Sequence, residues 1–124
     1  MDKEHPQHLT LHLIQLPLPG FVSILHRIGG LLLFFALPLL LLMLQYSLRS
    51  IETYTQLMAV LAHPLAKLML LGVLWAFLHH FCAGLRYLAV DLDYGVKLAQ
   101  ARASSKMVLV VSLVLTVLLG VKLW

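Results

Sequence analysis

Residues 31–44 read LLLFFALPLLLLML, fourteen consecutive positions without a charged or hydrogen-bonding side chain. Outward from this stretch, the apolar run extends from about Phe21 to Tyr46. About 20 residues rising ~1.5 Å each cross a bilayer core, so the run is long enough to span as one helix. Pro38 lies inside it and predicts a kink, which membrane helices tolerate because neighbours re-satisfy the freed carbonyl. A second run goes from about Pro64 to Val90 and is uniformly apolar through residues 68–78. A third, Met107 to Trp124, is shorter; it spans with Lys122 snorkelling and Trp124 in the headgroup layer. Runs of this length without alternation exclude strands. The expected fold is therefore an all-α membrane protein, one domain over residues 1–124. It has a polar tail (residues 1–20) and three transmembrane helices at about 21–46, 64–90 and 107–124. A short polar loop lies at Ser47–Gln56, and a polar connector at residues 96–106.

Composition agrees. The chain is 61% hydrophobic and 11% charged, against about 25% charged residues in an ordinary soluble domain. Nine Lys/Arg face five acids, a net charge of +4, which in a membrane protein reports topology and contact with anionic headgroups. No basic stripe with interleaved aromatics is present, so a nucleic-acid partner is excluded. The single cysteine, Cys82, allows no internal disulfide. The first twenty residues lack the basic start, apolar core and small-residue cleavage site of a signal peptide. Insertion then uses the helices themselves, which favours a bacterial inner membrane. The tail histidines His5, His8 and His12 have no metal-type spacing. Lys3, Arg27, Arg86, Lys97, Arg102 and Lys106 fall at the ends shared by the N-terminus and the second connector, and Arg49, Lys67 and Lys122 at the opposite ends. Six against three predicts a cytoplasmic N-terminus.

Two polar clusters interrupt these runs: SILHR at residues 23–27 and HFCAGLRY at residues 80–87. Ionisable side chains at membrane depth are costly, which makes them functional candidates by default. Helical spacing puts Ser23, His26, Arg27 and Gly30 on one stripe of the first span, and His80, Ala83, Gly84 and Tyr87 on one stripe of the second, with Asp91 a step further. Small residues at 83 and 84 leave room for a bulky planar group or a close helix neighbour. With Asp91 marking the inner surface, His80 lies about 16 Å deep, near the midplane, and His26 roughly 7 Å deep. A neutral imidazole at the midplane suits the axial position of haem iron. Propionates would then face His26, Arg27 and Arg86 near the inner surface. The alternative is a histidine bonded to a neighbouring helix, and geometry alone leaves both readings open. His26 reads as too shallow to be a second axial ligand, and His79 points about 100° away from His80; a second ligand would come from another chain.

On SILHRIGG (residues 23–30, preceded by Leu16 and Pro17), His80-x3-Gly84-x-Arg86, Asp91 downstream and three spans in about this length, the chain resembles the cytochrome b556 membrane-anchor subunits of succinate dehydrogenase (respiratory complex II). The resemblance covers nearly the whole chain. It implies a haem b shared with a second three-helix anchor chain, with His80 as this chain's axial ligand to iron. His26 and Arg27 would lie beside the propionates, with Gly84 and Arg86 in the haem site. Ser23 and Arg27 would line a ubiquinone pocket, and Asp91 would stand where protons enter. It further implies an iron–sulfur subunit and a flavoprotein subunit as partners, electrons passing from the former to quinone, and no catalysis by this chain alone. Family members often have histidine where Tyr87 stands; a tyrosine there can still donate one hydrogen bond. Two other readings compete: the anchor of a fumarate reductase working with menaquinone, and a small non-redox membrane protein.

Overall fold

The computed structural model describes residues 18–124; residues 1–17 of the polar tail, with its histidines, lie outside the described residues, and residues 18–20, expected in that tail, already belong to the first helix. Four helices follow one another: α1 Leu18–Ser47, α2 Ile51–Leu61, α3 Pro64–Asp91 and α4 Leu98–Leu123. Of these, α1, α3 and α4 are long and apolar enough to cross a membrane. The protein is thus all-helical and multi-pass, and α1 continues as helix through Pro38. The start of α3 is set locally: the His63 side chain accepts from the Leu65 amide, and Pro64 occupies the first helical position, where it has no hydrogen bond to lose. Its end is a turn with positive φ at Asp93 (64°) and Gly95 (71°), closed by the Tyr94 amide donating to the Ala89 carbonyl at 3.0 Å.

Two expectations need correction. Ser47–Gln56 is not simply a loop: helix α2 begins inside it. Ser50 caps the helix, its hydroxyl accepting from the Thr53 amide while the Thr53 hydroxyl accepts from the Ser50 amide. This reciprocal cap uses the polar residues that give the stretch its loop-like composition. Tyr46 then donates to Gln56 at 2.6 Å and ties α2 back onto the end of α1. The connector at residues 96–106 is also mostly helix, because α4 starts at Leu98. Alanines 99, 101 and 103 favour helix without adding grease. At 26 residues α4 is about 39 Å long, longer than a bilayer core of about 30 Å, so its first turns extend beyond the lipid tails.

Helix α3 packs on both α1 and α4. Val22, Ala76, Ala83 and Val108 are the buried hydrophobic residues, all of them small or medium-sized. Toward the bundle α4 presents Ser105, Val108, Ser112, Thr116 and Gly120. Small side chains let helix backbones approach closely, the main source of attraction where lipid is as apolar as leucine. The hydroxyls bond within their own helix: Ser105 to the Ala101 carbonyl (2.8 Å), Ser112 to Leu109 (3.0 Å) and Thr116 to Ser112 (2.7 Å).

Candidate functional site

Helices α1 and α3 carry the same pattern, His-x3-Gly, as His26 with Gly30 and His80 with Gly84. The antiparallel register sets each imidazole against the other helix's glycine. A Cβ on Gly30 would stand 2.9 Å from His80 Cε1, and a Cβ on Gly84 would stand 4.0 Å from His26 Nε2. Between the two glycines the rings meet face to face, with centroids 4.2 Å apart and planes 4° from parallel. Tyr87, one turn further along α3, tilts its ring onto His26 at 5.2 Å.

The rings touch although their backbone positions lie at different levels: His80 packs at Gly30 and His26 toward Gly84, so His26 stands about four residues, ~6 Å, nearer the Asp91 end of α3 than His80 does. Stacked rings still do not aim nitrogens at one metal from opposite sides, so the pair does not form a two-histidine iron site within this chain.

The bonding of His80 defines what its ring can do. Nδ1 lies 3.2 Å from the His26 carbonyl oxygen. A carbonyl only accepts, so this contact selects the tautomer with the proton on Nδ1 and leaves a lone pair on Nε2. Metal-binding histidines commonly hold their second nitrogen in this way. Among the described residues Nε2 has no hydrogen-bond partner, yet it is not one of the enclosed, unpartnered polar atoms. Those are Trp75 Nε1, both ring nitrogens of His79, and the Tyr87 hydroxyl. His80 Nε2 is therefore at least partly accessible. His79, only 1% exposed, is sealed inside against Trp75, with ring centroids 5.3 Å apart.

The other expected site residues divide into two groups. Ser23 is half-buried and Arg27 exposed, one turn apart on the flank of α1 that also carries Gly30. They stand about 60° and 100° round from His26. Asp91 is exposed at the end of α3, one turn beyond Tyr87. Arg86, in contrast, is not gathered with His26 and Arg27. It turns toward α4, where Nε donates to the Ser104 hydroxyl (2.9 Å) and one Nη to the Ala101 carbonyl (3.4 Å). Its guanidinium also lies 5.5 Å from the Tyr87 ring centre. Gly30, placed on the stripe by sequence but given no role, proves to be where an added Cβ would run into the His80 ring; the repeated His-x3-Gly spacing was the available signal. Among the described residues no group of three or more His, Cys, Asp or Glu side chains is placed to hold a bare metal ion.

Comparison with known proteins adds to this geometry. The family model for the succinate dehydrogenase/fumarate reductase transmembrane subunit matches residues 1–119. A succinate dehydrogenase cytochrome b556 subunit of Coxiella burnetii is 36% identical, the match covering 100% of both chains. Proteins of the same name from Paracoccus denitrificans (34% identical, 87% of this chain and 83% of the relative) and Rickettsia felis (32%, 92% and 87%) are also similar.

Proposed function

The chain belongs to the family of succinate dehydrogenase/fumarate reductase transmembrane subunits, and we propose that it is the haem b- and ubiquinone-binding membrane anchor of a succinate dehydrogenase. In this reading it passes electrons from an iron–sulfur subunit to quinone. The observation that carries the reading is His80, whose Nδ1 is engaged by the His26 carbonyl while Nε2 has no partner among the described residues and is not enclosed. The residues fit a haem: an imidazole whose Nδ1 is held by a carbonyl, flanked by glycines, with cations toward the inner end of the same helices. His80 would be the axial ligand. His26 and Arg27 would neutralise the propionates, with Gly84 leaving room beside them. Arg86 would brace this stretch of α3 against α4. The haem supplies a one-electron redox centre.

Quinone is the substrate. Its reduction to quinol takes two electrons, supplied through the iron–sulfur subunit, and two protons. Arg27 would donate a charge-assisted hydrogen bond to one quinone carbonyl, polarising it for reduction, and Ser23 would donate another. Both sit on an open flank of α1, consistent with a pocket whose remaining walls come from partners. Asp91, exposed at the α3 terminus, stands where protons would be taken up from the inner side. The second axial ligand would come from a second three-helix anchor chain, since His26 stacks on His80 rather than opposing it. A flavoprotein subunit would oxidise succinate, and this chain would have no activity alone. Its setting would be a bacterial inner membrane, N-terminus in the cytoplasm. The relatives' names favour succinate oxidation over the reverse, fumarate-reducing direction.

The test is isolation of the intact assembly. A b-type band in the reduced-minus-oxidised spectrum, together with succinate-dependent ubiquinone reduction, is expected. A colourless assembly indifferent to added quinone would refute the reading and favour a non-redox role.

A further inference from the structure

Of the two matched histidine–glycine contacts, one is tight and the other loose. The His26 ring lies at ordinary distance from where a Gly84 Cβ would be (4.0 Å), whereas His80 leaves no space at Gly30, with Cε1 at 2.9 Å and Nδ1 at 3.3 Å. One face of the His80 ring is covered by His26 at 4.2 Å, and its Nδ1 edge is held by the His26 carbonyl at 3.2 Å. The ring is thus bounded by the α1 backbone at Gly30, by a second imidazole, and by a carbonyl acceptor. We propose that Gly30 is a positioning residue. With the His26 carbonyl it forms a seat on α1 that fixes both the plane and the tautomer of the His80 imidazole, and through them how Nε2 is presented to haem iron. The inference rests on the haem-ligand reading of His80 given above and adds to it a residue that touches neither haem nor quinone.

The seat works by exclusion. Any side chain at position 30 enters the space of a ring already pinned on two other sides, so the ring must tilt. A tilt lengthens the Nδ1 contact, weakens the hold on the tautomer and turns the plane in which Nε2 donates. Groups that orient a metal-bound histidine from behind contribute about 10–100-fold in metal affinity. Gly29, the neighbouring residue, supplies a matched contrast: a Cβ there meets only the Ala76 carbonyl oxygen, at an ordinary 3.6 Å.

The experiment compares Gly30→Ala, Gly29→Ala and His80→Leu in the complete complex, with the membrane-bound share of succinate oxidation by a water-soluble acceptor as the measure of assembly. Gly30→Ala is expected to assemble but to retain haem about tenfold more weakly, and its remaining haem should show a shifted low-spin EPR signal. Gly29→Ala should match the wild type in both. Should Gly30→Ala fail to assemble, the double variant Gly30→Ala/His26→Ala gives the ring room to move away. Its haem signal should then be shifted relative to His26→Ala alone. Wild-type haem content and signal in Gly30→Ala, or identity of the double variant with His26→Ala, would overturn the seat while leaving the anchor function standing. Retention of an unaltered haem in His80→Leu would instead overturn the ligand reading on which the seat depends.

Discussion

His79 and His80 are adjacent, and the structure assigns them opposite responses to the same substitution. His79 is 1% exposed, and neither ring nitrogen has a partner among the described residues. A buried polar group left unsatisfied costs about 1–3 kcal/mol. Leucine has a similar volume and no polar atoms, so His79→Leu removes that cost. It also gives up the tilted ring contact with Trp75, worth about 0.5–1.5 kcal/mol. The net effect lies between about 0.5 kcal/mol of destabilisation and about 2.5 kcal/mol of stabilisation, so the complex should melt close to or above the wild type, with its haem intact. His80→Leu removes the accessible Nε2 and should abolish the haem band. The assay is one preparation per variant: haem content from the reduced-minus-oxidised spectrum, then thermal melting of the detergent-solubilised complex. Loss of haem or a clearly lowered melting temperature in His79→Leu, or a normal haem band in His80→Leu, would refute the assignment of the sealed ring to packing and the open ring to iron.

Other outcomes follow from the same structure. Arg27→Leu should lower succinate:quinone reductase activity by about 10²-fold while succinate oxidation with artificial acceptors is kept; survival of both activities would remove Arg27 from the quinone pocket. Arg86→Leu deletes two bonds to α4 and should destabilise the complex by about 1.5–3 kcal/mol, seen as a lower melting temperature with little change in the haem spectrum. Ser112→Leu forces a large side chain into a fully buried position against α3 and should cost about 1–3 kcal/mol through overpacking. Val117→Leu, on the exposed face of the same helix, should be neutral in the same melting assay.

The three spans were legible because a bilayer demands long apolar runs, and such runs have little other explanation. The run ends were less informative. Apolarity reports contact with lipid rather than helicity, so the alanine-rich, polar start of α4 read as a connector. Helix α2 was obscured for a related reason: Ser50 and Thr53 are polar because they cap it. Within the site, helical periodicity correctly grouped His26 with Gly30 and His80 with Gly84. It carried no information on how far α1 slides along α3, because that register is set by ring-over-glycine packing between residues fifty positions apart in the chain. Arg86 shows the same limit. Its position on α3 was readable, but its turn toward Ser104 depends on a helix whose beginning was misplaced.

The run of small residues along α4 bears on how this chain tolerates mutation over evolutionary time. Positions 105, 108, 112, 116 and 120 have almost no freedom, because bulk at any of them would pry two helices apart. The intervening positions exposed on this chain, such as Val110, Leu113, Val114 and Val121, need only remain oily wherever they meet lipid. Lineages can therefore exchange most of this helix's residues among valine, leucine, isoleucine and phenylalanine without selective consequence. Divergence should accumulate there first, and a count of matching letters will understate kinship in α4 more than in α1 or α3.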